Sequence, residues 1–220
     1  MPERDLDAVL FDFGGVLSTS PLGLMSKRMD QYGLTREQFM PVVLGPLHED
    51  GDHPWHRAER GELDLAGFDA AAEPLWRSLG LEAFPSPPSS EELFGAIGPA
   101  PEMVAAARDA RSAGCRTAIV SNMVSDWSAW RTVVDADALV DVVVDSSEVG
   151  LRKPDPAIYR LALERLGAVP ERSIFLDDFE WNLAGAAAVG MHTMHVTDPA
   201  AGAAALRERL GLPARSDGTG

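Results

Sequence analysis

Val9-Leu10-Phe11-Asp12-Phe13-Gly14-Gly15-Val16-Leu17 is the stretch around which the rest of the chain falls into place. Val9 to Phe11 is a short apolar run of the kind that forms a strand buried on both faces. It ends at a carboxylate, and two glycines follow that let the backbone turn sharply and approach a ligand. An aspartate at the carboxyl end of a buried parallel strand sits where open α/β sheets place their chemistry. The same residues also fit a strand and glycine turn with Asp12 as a cap, so the other strands must decide.

The second half of the chain alternates strand and helix patterns. Pro101 opens a helix to Ala113, and Gly114 ends it. Thr117 to Val120 reads as a buried strand leading into Ser121-Asn122, with a helix expected from Asp126, capped by Ser125. Val142 to Val144 is a third strand. Asp155-Pro156 caps and opens a helix with Ile158, Tyr159, Ala162 and Leu166 inward, stopped by Gly167. Ile174 to Leu176 is a fourth strand ending at Asp177-Asp178, with an alanine-rich helix behind it to Val189. A fifth strand, Met191 to Val196, and a helix from Ala200 to Leu210 complete the series. Such alternation predicts an α/β fold, a Rossmann-like parallel sheet with helices on both faces.

Between the first strand and Pro101 the pattern is helical instead. Leu22, Met25, Met29 and Tyr32 share one face. Thr35 with Gln38 three residues later reads as a capping box for a helix through Leu44. Leu65, Phe68, Ala72, Leu75 and Leu79 form another stripe, kinked or split at Pro74. Phe84 to Ser90 is a linker by composition, and with Ser18 to Pro21 it reads as a hinge. The expected organisation is a catalytic core of residues 1–19 and 96–212, an inserted all-helical cap over 20–95, and a disordered tail over 213–220.

Composition excludes several classes. The 220 residues carry a formal charge of −15 and are 45% hydrophobic, with mean hydropathy −0.07. That balance supports a real core and argues against binding nucleic-acid backbones or anionic membranes. A small anion could still bind where a local cation reverses the field. The single cysteine, Cys115, cannot form an internal disulfide and reads as a packing thiol. The start has no signal-peptide pattern and no run reaches membrane-spanning length, so a cytoplasmic protein is expected. Oligomeric state is not readable.

Four polar points fall at strand ends or edges of the predicted sheet: Asp12, Ser121-Asn122, Lys153 and Asp177-Asp178. Singly, each fits a helix cap or a solvated side chain. In this order, each beside a buried strand, they resemble the motifs of the haloacid dehalogenase superfamily of hydrolases. The matching stretches are Phe11-Asp12-Phe13-Gly14-Gly15-Val16, Val120-Ser121-Asn122, Gly150-Leu151-Arg152-Lys153-Pro154-Asp155-Pro156 and Phe175-Leu176-Asp177-Asp178-Phe179-Glu180-Trp181-Asn182. The helical insertion falls where that family's first-type cap lies. The Asp12-Phe13-Gly14-Gly15-Val16 form and the run Trp55-His56-Arg57-Ala58-Glu59-Arg60-Gly61-Glu62 are similar to the branch with the N-terminal phosphatase-like domains of epoxide hydrolases.

The resemblance implies a Mg²⁺-dependent phosphatase of a small phosphorylated metabolite, working through an aspartyl-phosphate. By resemblance, Asp12 is the nucleophile, and Ser121 and Lys153 bind and neutralise the phosphoryl group. Asn122 helps through its main-chain amide. Asp12, the Gly14 carbonyl and Asp178 hold the metal, with Asp177 as an alternate ligand. Asn182 orients the last loop, and the polar loop with His48, His53, His56 and Arg57 is expected to contact substrate. One position departs from the pattern: where the family's phosphatases carry a second aspartate as general acid and base, this chain has Gly14. That leaves open a regulatory module that binds metal and phosphate without turnover. A metal-free haloacid dehalogenase is the third reading, against which the Asp177-Asp178 pair argues.

Overall fold

Strands β1 (Ala8–Phe11), β2 (Arg116–Ser121), β3 (Val142–Asp145), β4 (Ser173–Asp177) and β5 (His192–His195) form one parallel sheet in the order β3-β2-β1-β4-β5. The computed structural model describes residues 5–21, 24, 30, 33, 35–82 and 87–214. β1 lies at the centre, with Phe11 in register against Ile119 of β2 and Leu176 of β4. Alternation along β1 serves both faces, as the pleat requires. Val9 and Phe11 join Met103, Ala107 and Leu206 on one side, whereas Ala8 and Leu10 join Ile158, Tyr159 and Phe175 on the other. Val9, Leu10 and Phe11 each contribute roughly 1.5–3 kcal/mol on burial, which fixes the strand that ends at Asp12.

The helices between β1 and β2 are α1 (Arg36–Val43), α2 (Pro54–Glu59), α3 (Leu65–Ser78), α4 (Ser90–Ala96) and α5 (Pro101–Ser112). After β2 come α6 (Trp130–Val134) and α7 (Ala136–Leu139). The later ones are α8 (Ser146–Val149), α9 (Pro156–Leu166), α10 (Glu180–Ala187) and α11 (Pro199–Arg209). α5 and α11 pack on one face of the sheet, α9 and α10 on the other. Among the described residues no helix is long and apolar enough to cross a membrane.

Local signals explain most boundaries. Thr35 and Gln38 form the expected reciprocal cap of α1, and Asp155 accepts from the Ala157 amide at the start of α9. α3 runs through Pro74 without a break. The helix expected from Asp126 is different: Ser125–Trp127 is a 3₁₀ turn without a side-chain cap, and the α-helix starts only at Trp130. Asp126 is engaged elsewhere, accepting from the Leu65 amide at 2.9 Å. The stripe Leu22, Met25, Met29 and Tyr32, residues 84–86 of the linker, and the tail beyond 214 lie outside the described residues.

Helices α1 to α3 share a core of Phe39, Val43, Trp55, Phe68, Ala72 and Trp76. The two chain crossings beside the sheet pair with one another. Thr19 N–H donates to the Gly98 carbonyl and Ala100 N–H to the Leu17 carbonyl, both at 2.8 Å. The chain therefore pairs back beside the sheet at Gly98–Ala100, beyond α4. A Cβ on Gly61, after α2, would meet the Ser147 carbonyl oxygen of α8 at 2.2 Å. Only a glycine permits that approach.

Candidate active site

Asp12 stands one residue beyond β1, buried, with its amide donating to the Leu176 carbonyl at 2.8 Å. Lys153, from the loop between α8 and α9, reaches it through the sheet's carboxyl edge. Its Nζ lies 2.7 Å from Asp12 Oδ1 and 2.7 Å from Asp177 Oδ2, and the side chain is 1% exposed. Burial opposes the lysine charge, but Asp12 and Asp177 more than offset it and hold the ammonium above its ordinary range.

Asp177 is the anchor of this lysine. Its carboxylate also accepts from Phe179 N–H at 2.8 Å and from Asn182 Nδ2 at 3.1 Å to each oxygen. Asp178 is placed oppositely. Its Oδ1 is buried without a partner among the described residues, and burial, then Asp12 and Asp177, push its carboxyl up to about 8. Asp12 is raised to about 6, by burial against the pull of Lys153. Asp12, Asp177 and Asp178 each offer an oxygen, all within 4.8 Å of one another. Three carboxylates facing one lysine, with an unpartnered oxygen, suit a hard cation with oxygen ligands.

Gly14 and Gly15 clear the approach. Gly15 has φ +80°, and a Cβ there would lie 2.5 Å from Asp178 Oδ2. At Gly14, among the described residues, a Cβ would meet only Pro21, at 3.5 Å from its Cδ, an ordinary van der Waals contact.

Ser121, the last residue of β2, has its Oγ buried and unpartnered among the described residues. Its neighbour Asn122 is spent on positioning. The amide side chain accepts from Lys153 N–H at 2.8 Å and donates to the Lys153 carbonyl at 3.0 Å. Asp12, Gly14, Ser121, Asn122, Lys153, Asp178 and Asn182 all line one cavity of about 200 Å³ between the sheet edge and the helices of residues 36–97.

The expected polar contacts from the helical segment are not in that lining. His53 caps α2, its Nδ1 accepting from Trp55 N–H at 3.1 Å. His56 is fully buried beside it, and burial, then Arg152 and His53, push it down to about 4, leaving it neutral. Arg57 turns to Glu62 at 3.2 Å. What lines the cavity instead is Glu59, joined by Arg152 from the core: Nε donates to Oε2 at 2.7 Å, both side chains buried. Glu59 sits one turn after Trp55 on the inward face of α2, a spacing that could have pointed to it.

The model of the haloacid dehalogenase-like hydrolase family matches residues 6–190. The chain belongs to that family. Mouse acyl-CoA dehydrogenase family member 10 is 32% identical over 219 residues, 96% of this chain but 20% of that protein. Rat bifunctional epoxide hydrolase 2 is 38% identical over 111 residues, 48% of this chain and 20% of that protein, in keeping with the branch resembled above. The chain thus spans about a fifth of those two relatives. A sesquiterpene phosphatase of Aspergillus oryzae is 27% identical over 206 residues, covering 93% of this chain and 96% of that protein. Among solved structures, a family enzyme from Bacteroides thetaiotaomicron in complex with magnesium and inorganic phosphate superposes with TM-score 0.59. It is 18% identical, covering 88% of this chain and 96% of that one. Dehalogenase structures share the fold to the same degree.

Proposed function

We propose that this family hydrolase is a Mg²⁺-dependent phosphatase of a small phosphorylated metabolite, with Asp12 as its nucleophile. The supporting observation is the Lys153 ammonium held 2.7 Å from Asp12, with the Ser121 hydroxyl and an Asp178 oxygen unpartnered in the same cavity. Asp12 would attack phosphorus as the bond to the leaving oxygen breaks. Water would then attack phosphorus again and return the Asp12 carboxylate. Lys153 would neutralise the transferring group, and Ser121 Oγ would donate to one of its oxygens. Asn122 would act through the Lys153 backbone, and Asp177 through the Lys153 ammonium.

Asp12, Asp178 and the Gly14 carbonyl are the groups that would hold magnesium, with Asp177 adjacent. When bound, the ion supplies the charge neutralisation that brings an anionic carboxylate and an anionic phosphoryl group together. The helices between β1 and α5 would act as the cap that excludes water.

Gly14 favours a second reading, a module that binds metal and phosphate with little turnover, because no carboxyl stands at that position to protonate the leaving oxygen. Phosphate release from a metabolite panel, with and without Mg²⁺, separates the readings. Turnover that stops in excess chelator is expected; binding of phosphate without turnover favours the module, and full activity in chelator contradicts the metal assignment.

A further inference from the structure

The polar end of the cavity has the groups to hold one phosphoryl group, and among the described residues nothing comparable faces the rest of the substrate. Among the described residues its far wall is made by Phe39, Val43, Leu47, Trp55, Leu93 and Trp127, with further aliphatic and aromatic neighbours. The polar groups that do reach it are largely committed. Asn122 clamps the Lys153 backbone on both sides. Arg152 donates to Glu59 and to the Glu49 carbonyl. Trp127 spends its Nε1–H on the Pro88 carbonyl at 2.9 Å, which leaves its ring as apolar surface. The histidines and Arg57 that might have read hydroxyls are elsewhere.

From this lining we infer that the substrate is a phosphate monoester with an apolar organic part, an alkyl phosphate, and not a sugar or polyol phosphate. The inference rests on the phosphatase reading above. A hydroxyl carried into such a cavity gives up its water without finding a partner, at about tenfold in kcat/KM or more for each group. An apolar chain meanwhile gains roughly tenfold or more per well-buried methylene, until the cavity is filled. Leu47, half-buried on the wall opposite the sheet, is a specificity-determining position on this account.

The test compares kcat/KM for n-octyl phosphate, kept below micelle formation, with glycerol 3-phosphate and glucose 6-phosphate. All three are esters of primary alcohols, so leaving-group chemistry is closely matched. Acetyl phosphate, small and reactive, reports whether the site transfers phosphoryl groups at all. The octyl ester should be preferred by about a hundredfold or more, and Leu47→Asn should narrow that preference by about tenfold. Equal or reversed preference in the wild-type protein, with acetyl phosphate cleaved, overturns the substrate class and leaves the phosphatase reading standing. Cleavage of none of the four overturns the phosphatase reading, and this inference falls with it. If Leu47→Asn does not fold, the wild-type panel decides alone.

Discussion

Replacing Gly15 by alanine should damage stability and metal binding together, through two separable effects. The residue has φ +80°, a left-handed conformation that costs a residue with a Cβ about 1–2 kcal/mol. For a chain of this size that lowers the melting temperature by roughly 2–8 °C. The second effect is contact. The new Cβ would sit 2.5 Å from Asp178 Oδ2 and 2.8 Å from its Cγ, so the carboxylate must retreat by about 1 Å to regain ordinary separation. A displaced ligand of this kind typically weakens metal binding by about 10–100-fold. Gly14→Ala is the control, since among the described residues its Cβ would meet only Pro21, at 3.5 Å from Cδ. Thermal melts in chelator read the first effect, and the Mg²⁺ concentration needed for half-maximal protection reads the second. A Gly15→Ala protein whose Mg²⁺ dependence equals that of Gly14→Ala would refute the placement of Asp178.

Three further outcomes follow from the same residues. Gly14→Asp, where a Cβ meets Pro21 only at ordinary contact distance among the described residues, should raise the rate on alkyl phosphates more than on aryl phosphates, by up to about 10²–10⁴-fold for an added general acid. An equally shallow dependence of rate on leaving-group pKa in both proteins would show that another group already donates the proton. Because Asp178 is raised from its ordinary 3.8 to about 8, the folded apoprotein holds that proton more tightly than the unfolded chain. The resulting stabilisation is full below the unfolded pKa and fades as pH rises through about 8. Apparent Mg²⁺ affinity should correspondingly climb from pH 6 to about 8, by up to about tenfold per unit, and level off above; a flat titration would contradict it. Finally, Arg152→Met leaves Glu59 buried without its cation and should cost about 3–5 kcal/mol in urea unfolding, most of which Glu59→Leu in the same chain should restore. Equal losses in the single and double variants would mean that the pair does not join the helices to the core.

Much of this arrangement was legible in one dimension because its signals are local. A strand that must feed both faces reads as an unbroken apolar run, and Val9 to Phe11 does so. Thr35 with Gln38, and Asp155 with Pro156, carry their partners within four residues, and both caps formed as expected. That carboxylates stand at the carboxyl ends of β1 and β4 was legible because the apolar runs stop at Asp12 and Asp177. What stayed hidden depends on distant partners. Glu59 and Arg152 are 93 residues apart and meet where α2 closes on Ser147, an approach that Gly61 permits. Ser125 looked like a helix cap, but Asp126 serves the Leu65 amide 61 residues away, and the helix begins later. His53 and His56 read as substrate contacts by residue type. Burial instead gives one a capping task and holds the other neutral inside the helical core.

The central claim is that Asp12 becomes phosphorylated during turnover. Acid-quenched protein, taken milliseconds after mixing with Mg²⁺ and a cleavable phosphate ester, should carry one phosphoryl group, and peptide mapping should place it on Asp12. Asp12→Asn, nearly the same shape, should keep the fold, lose the adduct and lose activity by more than about a hundredfold. A phosphoryl group mapped to another residue, or steady turnover by Asp12→Asn, would contradict the account.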